Sequence, residues 1–223
     1  MGFNRVSRLD DRVMIRNVIV SVFDKTGLEP FVAELLRSCP GVRFYSTGGS
    51  YAFLADTLGE RCGAHLIRMS DYTGQPEMKG GLVKTLDWKI YLGLLAEPYD
   101  ADHAEDLEKH GALAFDMVIG NLYPFEAAAA RASSFEEARQ HIDIGGPSML
   151  RAAAKNFLRV APVCSPELYA GVAEELLRNR GSLALSTRAR LATEVFRRQS
   201  AYDAAIARYF TESAAALLPA SYR

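Results

Sequence analysis

The chain has 223 residues, long enough for one sizeable hydrophobic core, or one domain with a small addition. Lys and Arg total 26 against 27 Asp and Glu, a formal net charge of −1, which argues against nucleic acid as the main partner because phosphate-backbone binding shows as a basic excess. The three cysteines are odd in number and lack CxxC spacing, no apolar run approaches the length of a membrane span, and the polar start has no signal-peptide core, so a soluble cytoplasmic protein with reduced thiols and no membrane partner is expected.

The first strand candidate is NVIVSV (17–22), a short β-branched run of the kind buried on both faces of a sheet. FDKTG breaks it, and LEPFVAELLRSC follows with helical spacing. VRFYS (42–46) repeats the logic before TGGS, after which YAFLADTLGE is helical. AHLIRM (64–69), FDMVIGN (115–121) and RVAPVCS (159–165) complete about five strand candidates. His103 and His110 fall seven apart in an acidic helical stretch. SFEE (134–137) has the form of a capping box, and SPE (165–167) places serine at a cap and proline in the first turn. Residues 186–212 are helical by periodicity. Strands alternating with helices predict a three-layer α/β/α domain around a mostly parallel sheet.

In such a sheet ligands bind beyond the C-terminal ends of the strands, where this chain places FDKTG, TGGS, GNLYPF and IDIGG. The two glycines of TGGS free backbone N–H groups for an anion at a helix start, although alone the tetrapeptide is an ordinary turn. Within PEMKGGLVKTLDWK, Lys84 and Thr85 offer a cation and a hydroxyl to an oxyanion. No GxGxxG, Walker A or GxSxG sequence is present, and the four histidines lack metal-ligand spacing. The densest stretch is HIDIGGPSMLRAAAKN (141–156). Gly145 and Gly146 expose backbone N–H groups just before a helix that Pro147 opens. Arg151 and Lys155 share one helix face. The alanines between them imply close packing that would hold Lys155 partly buried, with a lowered pKa suited to general acid–base work.

SVFDKTGLEPF, STGGS, SDYTGQPEMKGGLVKTL, NLYPFE and IDIGGPSMLRAAAKN, in this order, resemble the IMP cyclohydrolase domain of the bifunctional AICAR transformylase/IMP cyclohydrolase family, over roughly residues 18–212. The resemblance implies the methylglyoxal-synthase-like fold, a homodimer, and no metal or organic cofactor. The implied reaction is dehydrative ring closure of the nucleotide FAICAR to IMP, in which the carboxamide nitrogen attacks the formyl carbon of the same molecule. Carried over by motif, Lys155 is the proton donor and acceptor, and Asp143, with Ile144 and the Gly145 backbone, orients the carboxamide or formyl group. The two isoleucines beside Asp143 would lock it in place. Tyr123 and Asn121 would contact the reacting groups, Lys84 and Thr85 would stabilise charge, Lys25, Thr47, Gly48, Gly49 and Ser50 would hold the phosphate, and Phe23, Asp24 and Val83 would also bind the substrate. Residues 1–15 are expected as an N-terminal extension and 16–223 as the cyclohydrolase-like domain, ending where the family's transformylase domain would begin.

The family pattern GGRVKTLHPK becomes GGLVKTLDWK here, so an arginine is replaced by Leu82 and a histidine-proline pair by Asp87 and Trp88, with Tyr91 and Leu92 as further departures. Either a nearby cation such as Lys79 or Arg68 takes over the lost guanidinium, or Trp88 and Tyr91 rebuild the pocket for another ligand. A nucleotide-binding regulatory module of the same fold is the alternative function, supported mainly by Leu82, and a lyase on a small phosphorylated substrate ranks below it.

Overall fold

The computed structural model describes residues 6, 8–75 and 84–221. Its strands are β1 (Arg12–Met14), β2 (Asn17–Val22), β3 (Arg43–Ser46), β4 (Leu66–Arg68), β5 (Met117–Asn121), β6 (Ala161–Val163) and β7 (Ser182–Ala184). The helices are α1 (Leu28–Ser38), α2 (Gly48–Leu58), α3 (Cys62–His65), α4 (Met69–Thr73), α5 (Trp88–Leu95), α6 (Ala101–Lys109), α7 (Phe125–Ala129), α8 (Phe135–Gln140), α9 (Gly145–Lys155), α10 (Tyr169–Arg178) and α11 (Leu185–Ser221). The five strand candidates form one parallel sheet in the order β4-β3-β2-β5-β6.

The alternation of side chains across each strand builds the three layers. Val18, Val20 and Val22 of β2, with Phe44, Met117 and Ile119, point into one core closed by Leu28, Phe31 and Leu35 of α1 and Val172 and Leu176 of α10. Ile19, Tyr45 and Val118 point the other way, against Ile90 and Leu94 of α5, Met149 and Leu150 of α9 and Val195 of α11. Burial on both faces is why NVIVSV carries apolar residues without a polar alternation.

Local departures from the sequence reading have physical causes. AHLIRM yields three strand residues only, because Cys62–His65 coils into a helical turn and buried Met69 opens α4. Gly145 and Gly146 lie inside α9 rather than before it, and Pro147 is its third residue, where the missing N–H has no intrahelical partner anyway. At SFEE, Ser134 Oγ accepts the Glu137 N–H (3.1 Å), but Glu137 returns its bond to Ser133 rather than to Ser134. The first fifteen residues are not wholly an extension. β1 pairs antiparallel with β7, Ile15 is buried, and the fully buried Arg188 donates to the carbonyls of Asp10 (2.9 Å), Asp11 (3.3 Å), Phe157 (3.0 Å), Leu158 (3.0 Å) and Leu183. Among the described residues no helix is long and apolar enough to cross a membrane.

Candidate functional site

β2 has β3 on one side and β5 on the other, so the chain leaves the sheet centre in opposite directions at this point, and the crevice beyond the strand ends is where an open α/β sheet receives ligands. A cleft of about 480 Å³ lies there. It draws residues from the loops after β2 (Phe23, Lys25), β3 (Thr47, Gly48, Gly49, Ser50) and β5 (Asn121, Tyr123), from Lys84 and Thr85, and from 140–146 at the start of α9.

One corner of the cleft is suited to an anion. α2 starts at Gly48 with no side chain capping it, so the N–H groups of its first turn are open to a ligand, and the helix dipole favours negative charge there. Gly48 has φ +49°, and a Cβ on it would fall 3.0 Å from Lys84 Nζ, so the ammonium rests directly above this turn. Lys25 lines the same cleft. Ser50 does not offer its hydroxyl: Oγ accepts the Val22 N–H (2.9 Å) and donates to the Val22 carbonyl (3.1 Å), fastening α2 to β2. Thr85 is buried against α9, so that a Cβ on Gly145 would come 2.6 Å from its Oγ1. Gly145→Ala should therefore push the Lys84–Thr85 segment off the cleft. The expected result is a folded chain that binds inorganic phosphate about tenfold more weakly by calorimetry, the loss of one charge-assisted contact. Unchanged affinity would remove Lys84 from the anion corner.

The start of α9 brings a carboxylate to the same cleft. Asp143 Oδ1 accepts the Gly146 N–H at 3.0 Å, and the Asp143 N–H donates to the Tyr202 hydroxyl of α11 at 2.8 Å. Burial pushes the Asp143 carboxyl above the ordinary carboxylate range, against the smaller opposing effects of the Gly146 and Tyr123 backbone N–H groups. The isoleucines do not lock this residue, since Ile142 is only partly buried and Ile144 is 58% exposed. Gly146 and Tyr202 hold it instead. Phe23 and Tyr123 pack against each other at the cleft with ring centroids 5.0 Å apart, and each is about half exposed.

Other expected residues stand in different positions. The Asn121 amide is committed to the chain itself: Oδ1 accepts the N–H groups of Phe23 (2.8 Å) and Asp24 (2.9 Å), and Nδ2 donates to the Asp24 carbonyl (2.7 Å). It shapes the loop after β2 rather than presenting its side chain to a ligand. Asp24 turns away to accept the Thr26 N–H (2.9 Å) and does not line this cleft. Lys155 is exposed rather than partly buried, at the far end of α9, about 15 Å along the helix axis from Gly145, and lines neither of the clefts described here. The alanines do pack into the core, but they face away from it. Val83, Leu82 and Lys79 lie outside the described residues. Arg68 is exposed and stacks on the Tyr51 ring at 3.9 Å, while Trp88 packs edge-on against His110 and Tyr91 against the core, so none of the three lines the cleft.

Sequence reasoning did not single out Gln140, His141 or Tyr202. The first two line the cleft because α8 ends at its rim, which no short motif announces. Away from the cleft, Glu97, Asp100 and His103 bring three potential ligand atoms within 4.8 Å of one another. His103 Nδ1 already accepts the Glu97 N–H (3.1 Å), and Asp100 accepts the His103 N–H (3.0 Å) as the cap of α6, so these groups are engaged in holding the backbone.

The description MGS-like domain matches residues 27–148, and AICARFT/IMPCHase bienzyme matches residues 153–223. The bifunctional purine biosynthesis protein PurH of Magnetococcus marinus is 44% identical over 198 residues, covering 88% of this chain and 36% of its own length. PurH of Chlorobium phaeovibrioides is 46% identical over 202 residues, 90% of this chain and 37% of its own. The chain thus spans little more than a third of the length of these relatives. The crystal structure of ForH superposes with a TM-score of 0.71 at 33% identity, covering 88% of this chain and 99% of that one.

Proposed function

We propose, from the premise that the chain belongs to the MGS-like domain family, that its cleft binds a nucleotide and closes the purine ring of FAICAR to give IMP. The relatives are bifunctional purine biosynthesis proteins, and ring closure is the half of the bienzyme proposed here. The observation that carries the reading is the meeting, in one cleft, of the open N-terminus of α2 under Lys84 with the partly buried carboxyl of Asp143. The first corner suits the 5′-phosphate and the second the reacting carboxamide.

The chemistry follows from the second corner. The carboxamide nitrogen forms a bond to the formyl carbon, the formyl oxygen becomes a hydroxyl, and loss of that hydroxyl with a proton releases water and leaves the aromatic ring. Asp143, with a carboxyl made more basic by burial, takes the proton from the nitrogen and returns it to the departing oxygen. Holding both reacting groups of one molecule in place contributes the remainder, and no electron acceptor is consumed. Tyr123 and Phe23 cover the nucleotide's exposed face. The setting proposed is cytoplasmic, with a homodimer as the working assembly.

A regulatory nucleotide-binding module is the competing reading, and the position of Lys155 outside its own chain's cleft is what favours it. Spectrophotometric conversion of FAICAR to IMP by the purified chain decides between them. Turnover supports the cyclohydrolase, whereas tight FAICAR or IMP binding without turnover supports the module and sinks the enzyme reading.

A further inference from the structure

Across the loop of Phe23 and Lys25 lies a second cleft of about 750 Å³, which shares those two residues and Asn121 with the first. Its walls are largely apolar, with Leu122 after β5, Leu150 of α9 and Val195 of α11. Set against them are three polar atoms closed to solvent that have no hydrogen-bond partner among the described residues: Ser165 Oγ, Gln199 Nε2 and Gln199 Oε1. Both residues line this cleft and each is 2% exposed. Ser165 occupies a helix-cap position, yet its hydroxyl makes no cap bond.

An amide buried with neither its donor nor its acceptor engaged is costly, and native folds rarely leave one so. The contrast within this chain is Asn156, also buried, whose amide donates to the carbonyls of Leu94 (2.8 Å) and Ala96 (3.0 Å). Among the charged residues that line the second cleft beside Asp24 and Lys25, Arg198 and Glu167 neutralise each other. Arg198 pairs with Glu194 (2.6 Å) and Glu167 (3.1 Å), and burial pushes the Cys164 thiol up to about 11, leaving it protonated. An apolar slot with one unengaged amide and one unengaged hydroxyl matches a flat, uncharged molecule that presents a donor and an acceptor side by side.

We infer that the second cleft is a binding site for a small neutral aromatic amide, whose N–H and C=O pair with the Gln199 amide while Ser165 Oγ supports the same edge. The inference stands apart from the proposed ring closure, because it needs no nucleotide in the first cleft.

The test titrates the intact chain with benzamide and with methyl benzoate, which has the same shape but no N–H, following backbone amide shifts by NMR. Benzamide should shift resonances around Ser165 and Val195, bind more tightly than methyl benzoate, and resist competition by inorganic phosphate. Gln199→Leu should weaken benzamide about tenfold or more, as expected for losing two hydrogen bonds, and weaken methyl benzoate, which has only the carbonyl to lose, by clearly less. Equal binding of the two probes, no shift at millimolar benzamide, or benzamide affinity untouched by Gln199→Leu would overturn the site and leave an ordered water as the amide's partner. Displacement by phosphate would assign the binding to the first cleft and overturn it equally. If Gln199→Leu does not fold, Ser165→Ala carries the same comparison.

Discussion

Asp143→Asn should lower FAICAR turnover by about a hundredfold or more, the loss expected when a general acid–base group is removed, while making the chain more resistant to heat at neutral pH. Both effects come from the same burial. An amide keeps an oxygen that can accept the Gly146 N–H, but it cannot take a proton from the carboxamide nitrogen. The stability sign follows from linkage. The folded-state pKa of Asp143 is raised above its unfolded value, so its favourable contribution is full below the unfolded pKa and is lost as pH rises through the folded one. At neutral pH the parent holds an ionised carboxylate in a site that favours the neutral form, whereas the amide is neutral throughout. The gap in Tm between variant and parent should therefore be widest at neutral pH and narrow as pH falls. Parent turnover should drop on the acid side at a pH above the ordinary carboxylate value, and the residual turnover of the variant should lack that limb. A variant equally active, or one whose Tm gap widens towards acid, would remove Asp143 from the proton path or from its buried setting.

The sheet was legible because its signal is local. Val18, Ile19 and Val20 are fully buried and stand side by side, so burial on both faces is written into six consecutive letters. β1 and β7 escaped notice for the opposite reason. Each has three residues, and what holds them is a pairing across 170 positions together with the Arg188 guanidinium, neither of which leaves a periodic trace. The site divides in the same way. TGGS and IDIGG reach one cleft as their motif order implies, because the first follows a strand end and the second starts a helix, and Lys84 joins them from the segment before α5. The supports of the site were not readable: Tyr202 beneath Asp143 and the approach of Gly145 to Thr85 join residues about sixty apart, and only the packing of α9 on α11 and on the 84–85 segment brings them together. Asn121 and Ser50 show the reverse error, in which polar residues within a binding motif turn out to fasten the loops that form the cleft.

Lys155→Ala should also lower turnover about a hundredfold or more, if the residue carries the proton-handling role its motif implies. Its position sets a condition on how. α9 begins with Gly145 in the cleft and runs about 15 Å to Lys155, which stands exposed and outside that cleft, too far for its side chain to reach Asp143 of the same chain. Lys155 can then act on a nucleotide only if a second copy of the chain presents it, with Arg151 exposed on the same helix face one turn before it. In a twofold dimer such sharing is reciprocal, and each cleft would pair its own Asp143 with the other copy's lysine. That arrangement has a signature no single-chain role can imitate. Mixing the two inactive variants, Asp143→Asn and Lys155→Ala, and letting subunits exchange should restore turnover to about a quarter of the parent's, because half of the dimers are mixed and each mixed dimer holds one intact site. No recovery after verified exchange would show that the two residues do not meet across copies. A Lys155→Ala chain with parental turnover would leave Lys84 and Asp143 as the groups that run the reaction.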